Sequence, residues 1–313
     1  MLRLIGKRIA MSVPLLLIVS LLIFGLQALI PGDAARTILG ENATPQTVAA
    51  LRDQLGLNEP WAERYGHWLL DAVHGDLGTS IISGVDVMSG LSGRLGVTLS
   101  LLVPSMLLSA VVGIALGFAS AARGGLLGRF IDVVSLLGFA LPSFWIALIL
   151  VAVLAERAGL LPATGYTAFG ESPLGWLKSI TLPVLALSLH GITAVAKQTR
   201  DTVMEVMEAD YVRFLKANGI GTMSLQFRHI LRNAAIPVVT SLGLVAVGML
   251  SGAVFIENVF VLPGLGTLAT QATLDHDVPV ILGVGVVLTL AVIVINLLID
   301  VAYGLLNPKV RTT

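Results

Sequence analysis

Long apolar stretches alternate with shorter polar ones along nearly the whole chain. Each apolar stretch is close to the roughly 20 residues that an α-helix needs to cross about 30 Å of hydrocarbon. Only internally hydrogen-bonded segments satisfy their backbone polar groups in lipid. The pattern therefore predicts an all-α polytopic membrane protein with six transmembrane helices, at residues 9–30, 97–119, 133–154, 180–195, 238–255 and 280–299.

Two of these spans need comment. The first follows basic residues, as a signal peptide does, but its apolar run is longer than the roughly 7–15 residues of a signal-peptide core. We therefore expect it to be an uncleaved span. The fourth is the weakest by sequence, because it is short and contains Pro183, Ser188 and His190.

Composition agrees with a membrane protein. Hydrophobic residues make up 56% of the 313, and only 12% are charged. A soluble domain of this length could not cover so much apolar surface, so membrane lipid is part of its solvent. The net charge of zero gives no indication of nucleic-acid binding. The absence of cysteine excludes thiolate catalysis and cysteine-based metal sites.

The basic residues predict an orientation. Of the 19 Lys and Arg, 13 fall on one face, in the N-terminus, residues 123–129, residues 197–232 and the C-terminal tail. Because Lys and Arg are enriched in cytoplasmic loops, we expect both termini in the cytoplasm.

Two outer segments stand out. Residues 31–96 have apolar positions at helical spacing, and we expect short helices on the outer membrane surface. They form either a packed cap or a docking site for an external partner. The last outer loop carries acidic residues and no Lys or Arg. Pro263 and Gly264 there predict a tight turn rather than a phosphate loop.

The segment between the fourth and fifth spans has the features of two helices joined by a glycine turn. Its acidic residues precede its basic ones, which complements a helix dipole. We expect Gly219 to end the first helix, Ser224 to cap the second, and Pro237 to mark entry into the fifth span. An apolar stripe is predicted on the first helix at Met204, Met207, Tyr211, Phe214 and Leu215.

This segment has two interpretations. Connections between helices usually take about 2–8 residues, and this one is much longer. A helix with apolar anchors and charged flanks suits docking into a groove of a soluble partner. From spacing alone, a plain connector and a docking helix both remain open.

A resemblance favours docking. Glu208-Ala209-Asp210, then Gly219, then Ile230 and Ile236-Pro237 resemble the EAA loop of ABC importer permeases. Further motifs, in order along the chain, resemble the dipeptide/oligopeptide permease subfamily: PGD (31–33), LGLNEPW (55–61), GDLGTS (75–80), LPSFW (141–145), LPATG (161–165), ADYVR (209–213), RNAAIPVVT (232–240), LPGLG (262–266) and NPKVR (307–311). One difference is Asn218, where the subfamily usually has Lys.

The resemblance implies a type I ABC importer permease fold in a prokaryotic inner or plasma membrane. Residues 1–30 would form the N-terminal transmembrane helix, 31–94 an extracytoplasmic helical segment, and 306–313 a cytoplasmic tail. Residues 95–305 would form the importer transmembrane domain, with the coupling loop at 199–236. The residues implied to contact the ATPase are Glu208, Ala209, Asp210, Tyr211, Arg213, Phe214, Lys216, Ala217, Gly219 and Pro237.

The resemblance also implies partners. They are a second permease subunit, two ATPase subunits or domains, and an extracytoplasmic solute-binding protein that delivers di- or oligopeptides. Relatives of this subfamily that carry nickel, glutathione or sugars leave the cargo open. The sequence contains no G-x-x-x-x-G-K-[ST], so we expect a non-catalytic subunit without cofactors, with ATP and Mg bound by the partners.

Other functional classes fit less well. A secondary transporter commonly places charged residues near the bilayer midplane, whereas here they lie outside or at the edges of the predicted spans. No catalytic constellation is evident, and a channel needs no coupling helix. We expect the fourth span to line the pathway through Ser188, His190 and Thr193. The alternative for His190 is a neutral imidazole hydrogen-bonded between helices.

Overall fold

The computed structural model describes residues 2–27 and 32–306, and within these ranges the chain is almost entirely helical. Residues 28–31 complete the first predicted span and begin the PGD motif; they lie outside the described residues. So do residues 307–313, which carry the NPKVR motif and nearly all of the predicted tail.

Most of the helices follow one another through short connections; the two long ones are residues 74–86 and 158–172. The helices are α1 (Leu2–Gln27), α2 (Ala34–Leu39), α3 (Pro45–Gln54), α4 (Trp61–Val73), α5 (Val87–Arg123), α6 (Gly125–Ala140), α7 (Ser143–Leu150, continued by a π-helical segment Val151–Arg157), α8 (Pro173–Glu208), α9 (Asp210–Ala217), α10 (Thr222–Ser224, continued by a π-helical segment Leu225–Ile230), α11 (Leu231–Phe260), α12 (Leu265–Leu274) and α13 (Val278–Leu306).

The chain divides into two compact units. Among the described residues, the larger unit contains Leu2, Leu99–Leu262 and residues 294–306. The smaller unit contains Arg3–Thr98 and Pro263–Ile293. Residues that the sequence grouped into one domain at 95–305 are thus shared between the units. In addition α5 begins at Val87, inside the segment predicted to precede the transmembrane domain.

Five helices in the described ranges are long and apolar enough to cross a membrane. They correspond to the first, second, fourth, fifth and sixth predicted spans and cover Ala10–Gln27, Val87–Arg123, Pro173–Glu208, Thr222–Phe260 and Val278–Leu306. The all-α polytopic architecture is therefore confirmed.

The third predicted span consists of two shorter helices. α6 has 16 residues and α7 has 8, and they are separated by Leu141 and Pro142. A proline disfavours the helical conformation of the residue before it and has no N–H to donate. Pro142 has an extended backbone and caps α7, because its carbonyl accepts from the N–H of Trp145 at 3.0 Å. The uninterrupted helix expected at 133–154 is thus replaced by a helix–break–helix.

The fourth predicted span is the most completely buried of these five helices, and its mean hydropathy is the lowest of the five, as the sequence indicated. In α8, 67% of the span window is buried, against 11% in α1. Neighbouring helices approach it closely through glycine: a Cβ at Gly117 of α5 would lie 2.4 Å from the carbonyl of Ala196. A helix surrounded by protein does not need a continuous apolar surface, since neighbours satisfy its polar groups. The hydroxyl of Ser109, for example, donates to the carbonyl of Ser188 at 3.1 Å.

The smaller unit contains the short helices expected for residues 31–96. Its core includes Leu77, Leu91 and Val280. The buried carboxylate of Asp277 accepts hydrogen bonds from the Ser80 hydroxyl and, at 3.2 Å, from the N–H of Ile81. This carboxylate joins the loop before α5 to the beginning of α13.

Candidate functional site

The first candidate feature is the short helix α9. α8 ends at Glu208, Ala209 alone is extended (φ −65°, ψ 142°), and α9 begins at Asp210. The N–H groups of Val212 and Arg213 donate to the Ala209 carbonyl at 3.0 and 3.3 Å. The apolar stripe predicted on a single helix is therefore wrong. Its first two members, at 204 and 207, belong to α8 and the other three to α9.

A small apolar core fixes the inner face of α9. Val212 is fully buried and Leu215 partly buried, three residues apart on one side of the helix. They pack in a cluster with Val203 of α8, Phe118 of α5 and Ile230. Residues at i and i+3 share a helix face, so this pair directs the opposite face outward.

The outer face of α9 is charged and carries one large apolar side chain. Phe214 is 68% exposed, and Asp210, Arg213 and Lys216 are exposed around it. Tyr211 is 41% exposed, and its hydroxyl accepts a hydrogen bond from the Asn233 amide at 2.8 Å. Phe214 is therefore the free apolar anchor of α9, whereas Tyr211 also connects α9 to α11.

The end of α9 is a Schellman motif. Gly219 has φ +78°; its N–H donates to Lys216 O at 3.0 Å, and the Ile220 N–H donates to Leu215 O at 3.3 Å. This is the 5→2 and 6→1 pattern that turns a chain sharply after a helix. The expected stop at Gly219 is confirmed. The Asn218 side-chain amide donates to Phe214 O at 2.8 Å, so Asn218 stabilises the turn at the end of α9.

The helix after the turn differs from the expectation. It begins at Thr222, with Gly221 as N-cap and no side-chain capping bond. Ser224 lies within the first turn, so it does not cap the helix. The expected cap at Ser224 is wrong, because the N-cap is Gly221, three residues earlier. The chain continues through the π-helical segment into α11, and Pro237 lies inside this helix, directly before the predicted fifth span at 238–255.

The second candidate feature is a cavity of about 540 Å³ in the larger unit. Its wall is formed by the break between α6 and α7, by α8 and by α11. Most of the wall is apolar or glycine. The polar side chains among its described lining residues are Ser143, His190, Lys197, Gln198 and Ser241.

The three residues predicted to line the pathway lie in different places. His190 is exposed and lines the cavity, and its Nδ1 lies 3.2 Å from the carbonyl of Gly138. Ser188 and Thr193 are buried, and each hydroxyl donates to a carbonyl of α8 itself, Leu185 O and His190 O. His190 thus combines the two roles considered for it, since it bonds between helices and faces the cavity.

Sequence reasoning missed an ion-pair group beside the cavity. Arg200 of α8 contacts Asp132 of α6 at 2.8 Å, and Lys197 contacts Asp201 at 2.7 Å and Asp132 at 3.7 Å. Lys197 also lines the cavity. The i, i+4 spacing of Lys197 and Asp201 was the only local signal, because Asp132 is distant in sequence.

Together these features define a helical membrane protein with a cavity that carries a few polar side chains and a separate surface helix with an exposed aromatic anchor. Comparison with known proteins agrees. The pattern of the "Binding-protein-dependent transport system inner membrane component" matches residues 111–312, and that of its N-terminal region matches residues 1–102. The chain belongs to this family of ABC importer permeases, which have the type I importer fold.

Relatives match the chain over its whole length. A protein named as a peptide transport system permease of Brucella abortus is 39% identical over 309 residues, covering 98% of both chains. A dipeptide transport system permease protein of Alkalihalophilus pseudofirmus is 34% identical, covering 97% of this chain and 98% of the relative. A glutathione transport system permease protein of Salmonella typhimurium is 35% identical, covering 99% of both.

Proposed function

We propose that this chain forms half of the translocation pathway of an ABC importer for di- and oligopeptides. One structural observation supports a mechanism that couples a partner ATPase to this pathway. α8 lines the cavity at His190 and ends at Glu208, one residue before the surface helix α9. A partner that contacts α9 is therefore linked to the cavity through one helix, α8.

In this proposal α9 docks in a groove of a cytoplasmic ATPase. Phe214 enters the groove as the apolar anchor, while Asp210, Arg213 and Lys216 set the orientation at its rim. ATP and Mg bind to the two ATPase subunits or domains. Their closure moves α9 and α8, and the cavity opens to receive ligand from an extracytoplasmic solute-binding protein. A second permease subunit supplies the other half of the pathway.

Peptide cargo is supported by the relatives and by the cavity. The relatives are named for peptides, a dipeptide and glutathione, which is itself a tripeptide. The cavity volume lies within the roughly 300–1,000 Å³ usual for small-molecule sites. A mostly apolar wall with a few hydrogen-bonding side chains can accept peptide backbones whose side chains differ.

Binding-protein-dependent uptake tests this function. The chain is reconstituted in proteoliposomes with its partner subunits and binding protein, and uptake of labelled dipeptides, oligopeptides, glutathione, nickel and a sugar is compared. We expect ATP-dependent uptake of peptides. The isolated chain should bind no nucleotide. Tight ATP binding by the isolated chain, or uptake of nickel or sugar without peptide, contradicts the proposal.

The orientation gives a separate prediction. From the distribution of Lys and Arg we expect the α9 end and both termini to lie in the cytoplasm. Reporter fusions after Arg129, Gly219 and Pro308 should report the cytoplasm, and fusions after Gly75, Gly165 and Gly266 the outside. The fusion after Gly165 is the most decisive of these tests, because it follows the broken span formed by α6 and α7. One reversed reporter rejects this topology.

A further inference from the structure

Arg64 of α4, in the smaller unit, is a half-buried cation that forms no salt bridge with the described part of the chain. Its guanidinium lies 5.7 Å from the centre of the Phe24 ring, and it makes no hydrogen bond or ion pair with residues 2–27 or 32–306. The nearby Arg52 is already paired with Asp33 at 3.0 Å.

The electrostatic surroundings are unfavourable for this cation. Burial lowers the pKa of Arg64; the Glu59 carboxylate raises it and the charge of Arg52 lowers it. The Glu59 carboxylate itself lies 3.8 Å from His67. An arginine stays charged in proteins, so a partly desolvated guanidinium gains most from an anion that it can contact through two N–H groups.

Two cavities meet at Arg64. One of about 260 Å³ reaches Arg52, and one of about 510 Å³ is lined by Leu55, Leu57 and Trp68. The indole N–H of Trp68 is buried and has no acceptor among the described residues. The larger cavity therefore has mainly apolar walls and one cation, Arg64, without a salt bridge, which suits a ligand with an anionic end and an apolar body.

The position of the cavity indicates where such a ligand comes from. Phe24 lines both cavities and lies about 4.5 Å along the helix axis from Gln27, where the described part of α1 ends. A hydrogen bond between the Tyr65 and Ser20 hydroxyls, which lie 2.9 Å apart, holds α4 against this part of α1. Leu22 and Leu26 of the same α1 segment are exposed. The site thus adjoins the exposed apolar side of α1, near the expected outer end of this span at residue 30, and headgroups lie at the ends of spans.

We propose that Arg64 binds the phosphate of an acidic phospholipid, with the apolar part of the lipid against the larger cavity and α1. A headgroup with a net negative charge neutralises the guanidinium, and two phosphate oxygens accept hydrogen bonds from two of its N–H groups. A soluble phosphate ester offers the same anion. It would leave the walls formed by Leu55 and Leu57 uncovered, so the apolar lining favours the lipid.

Lipid retention tests the site. The full chain is placed in nanodiscs of phosphatidylcholine with a minor fraction of phosphatidylglycerol, then extracted, and its bound lipids are counted by native mass spectrometry. Wild type should retain phosphatidylglycerol in excess over its share. Arg64→Gln should lose about tenfold in this enrichment, because one hydrogen-bonded charge is removed. Arg64→Lys should keep part of it. The matched control Arg36→Gln removes an exposed arginine of α2 and should change nothing.

A second variant separates the charge from the cavity. Leu57→Trp fills the cavity and keeps Arg64, and it should also reduce phosphatidylglycerol retention. Soluble glycerol 3-phosphate, added in excess, should not displace the lipid. Equal retention in Arg64→Gln and Arg36→Gln overturns the proposal. Displacement by glycerol 3-phosphate assigns the site to a soluble anion and overturns the lipid assignment.

Discussion

Gly219→Val should leave the permease inserted and paired with its sister subunit but abolish ligand-stimulated ATP hydrolysis by the complex. Gly219 has φ +78°, which costs an L-residue about 1–2 kcal/mol and a β-branched one more. The space around a Cβ is open, so the strain is purely conformational. The chain escapes it by rotating the turn, which breaks the two Schellman hydrogen bonds and redirects α9.

Gly221→Val is a matched control two residues away. Gly221 has φ −61° and open space around its Cβ, so valine fits without strain. The measurement is co-purification of all subunits, followed by ATPase assay with and without liganded binding protein. Normal stimulation in Gly219→Val, or equal loss in Gly221→Val, would show that the left-handed turn does not set the position of α9.

Phe214→Ala should produce the second large loss. A buried aromatic anchor at an interface contributes about 2 kcal/mol or more, roughly 30-fold in affinity. Since Phe214 is 68% exposed, its truncation leaves the permease fold intact and acts on docking alone. Transport and stimulated ATPase activity should therefore fall together, and the ATPase subunits should dissociate more easily during purification.

Two neighbours on α9 provide controls. Lys216→Ala should be mild, because exposed ion pairs contribute only about 0–1 kcal/mol. Tyr211→Ala should also lose coupling, whereas Tyr211→Phe removes only the hydrogen bond to Asn233 and separates positioning from contact. Full activity in both Phe214→Ala and Tyr211→Ala would mean that the segment only connects two spans.

The prediction of membrane spans is confirmed where the only requirement is a long apolar helix. A helix that crosses lipid must be long and apolar, and five spans satisfy this without interruption in the described residues. The break in the third span could not be predicted from the sequence, because the presence of a proline does not show whether a helix is interrupted. Pro104, Pro183 and Pro237 lie inside continuous helices, whereas Pro142 starts a new one.

The surface helix was predictable only in part. Gly219 could be recognised as a helix stop, since few other residues adopt its conformation without cost. The break at Ala209 could not, because alanine is the best helix former. This break determines that Val212 faces inward and Phe214 outward. The Asp132–Arg200 pair was also hidden, since its partners are 68 positions apart.

The continuity of α8 has a mechanical consequence. His190 and Glu208 are 18 positions apart on one helix, about 27 Å along its axis. Described residues between them include no proline and no break, and an α-helix resists compression along its axis because its hydrogen bonds run parallel to it. If Glu208 moves by about 1 Å along the helix axis, His190 therefore moves by nearly the same distance, because no loop between them absorbs the movement.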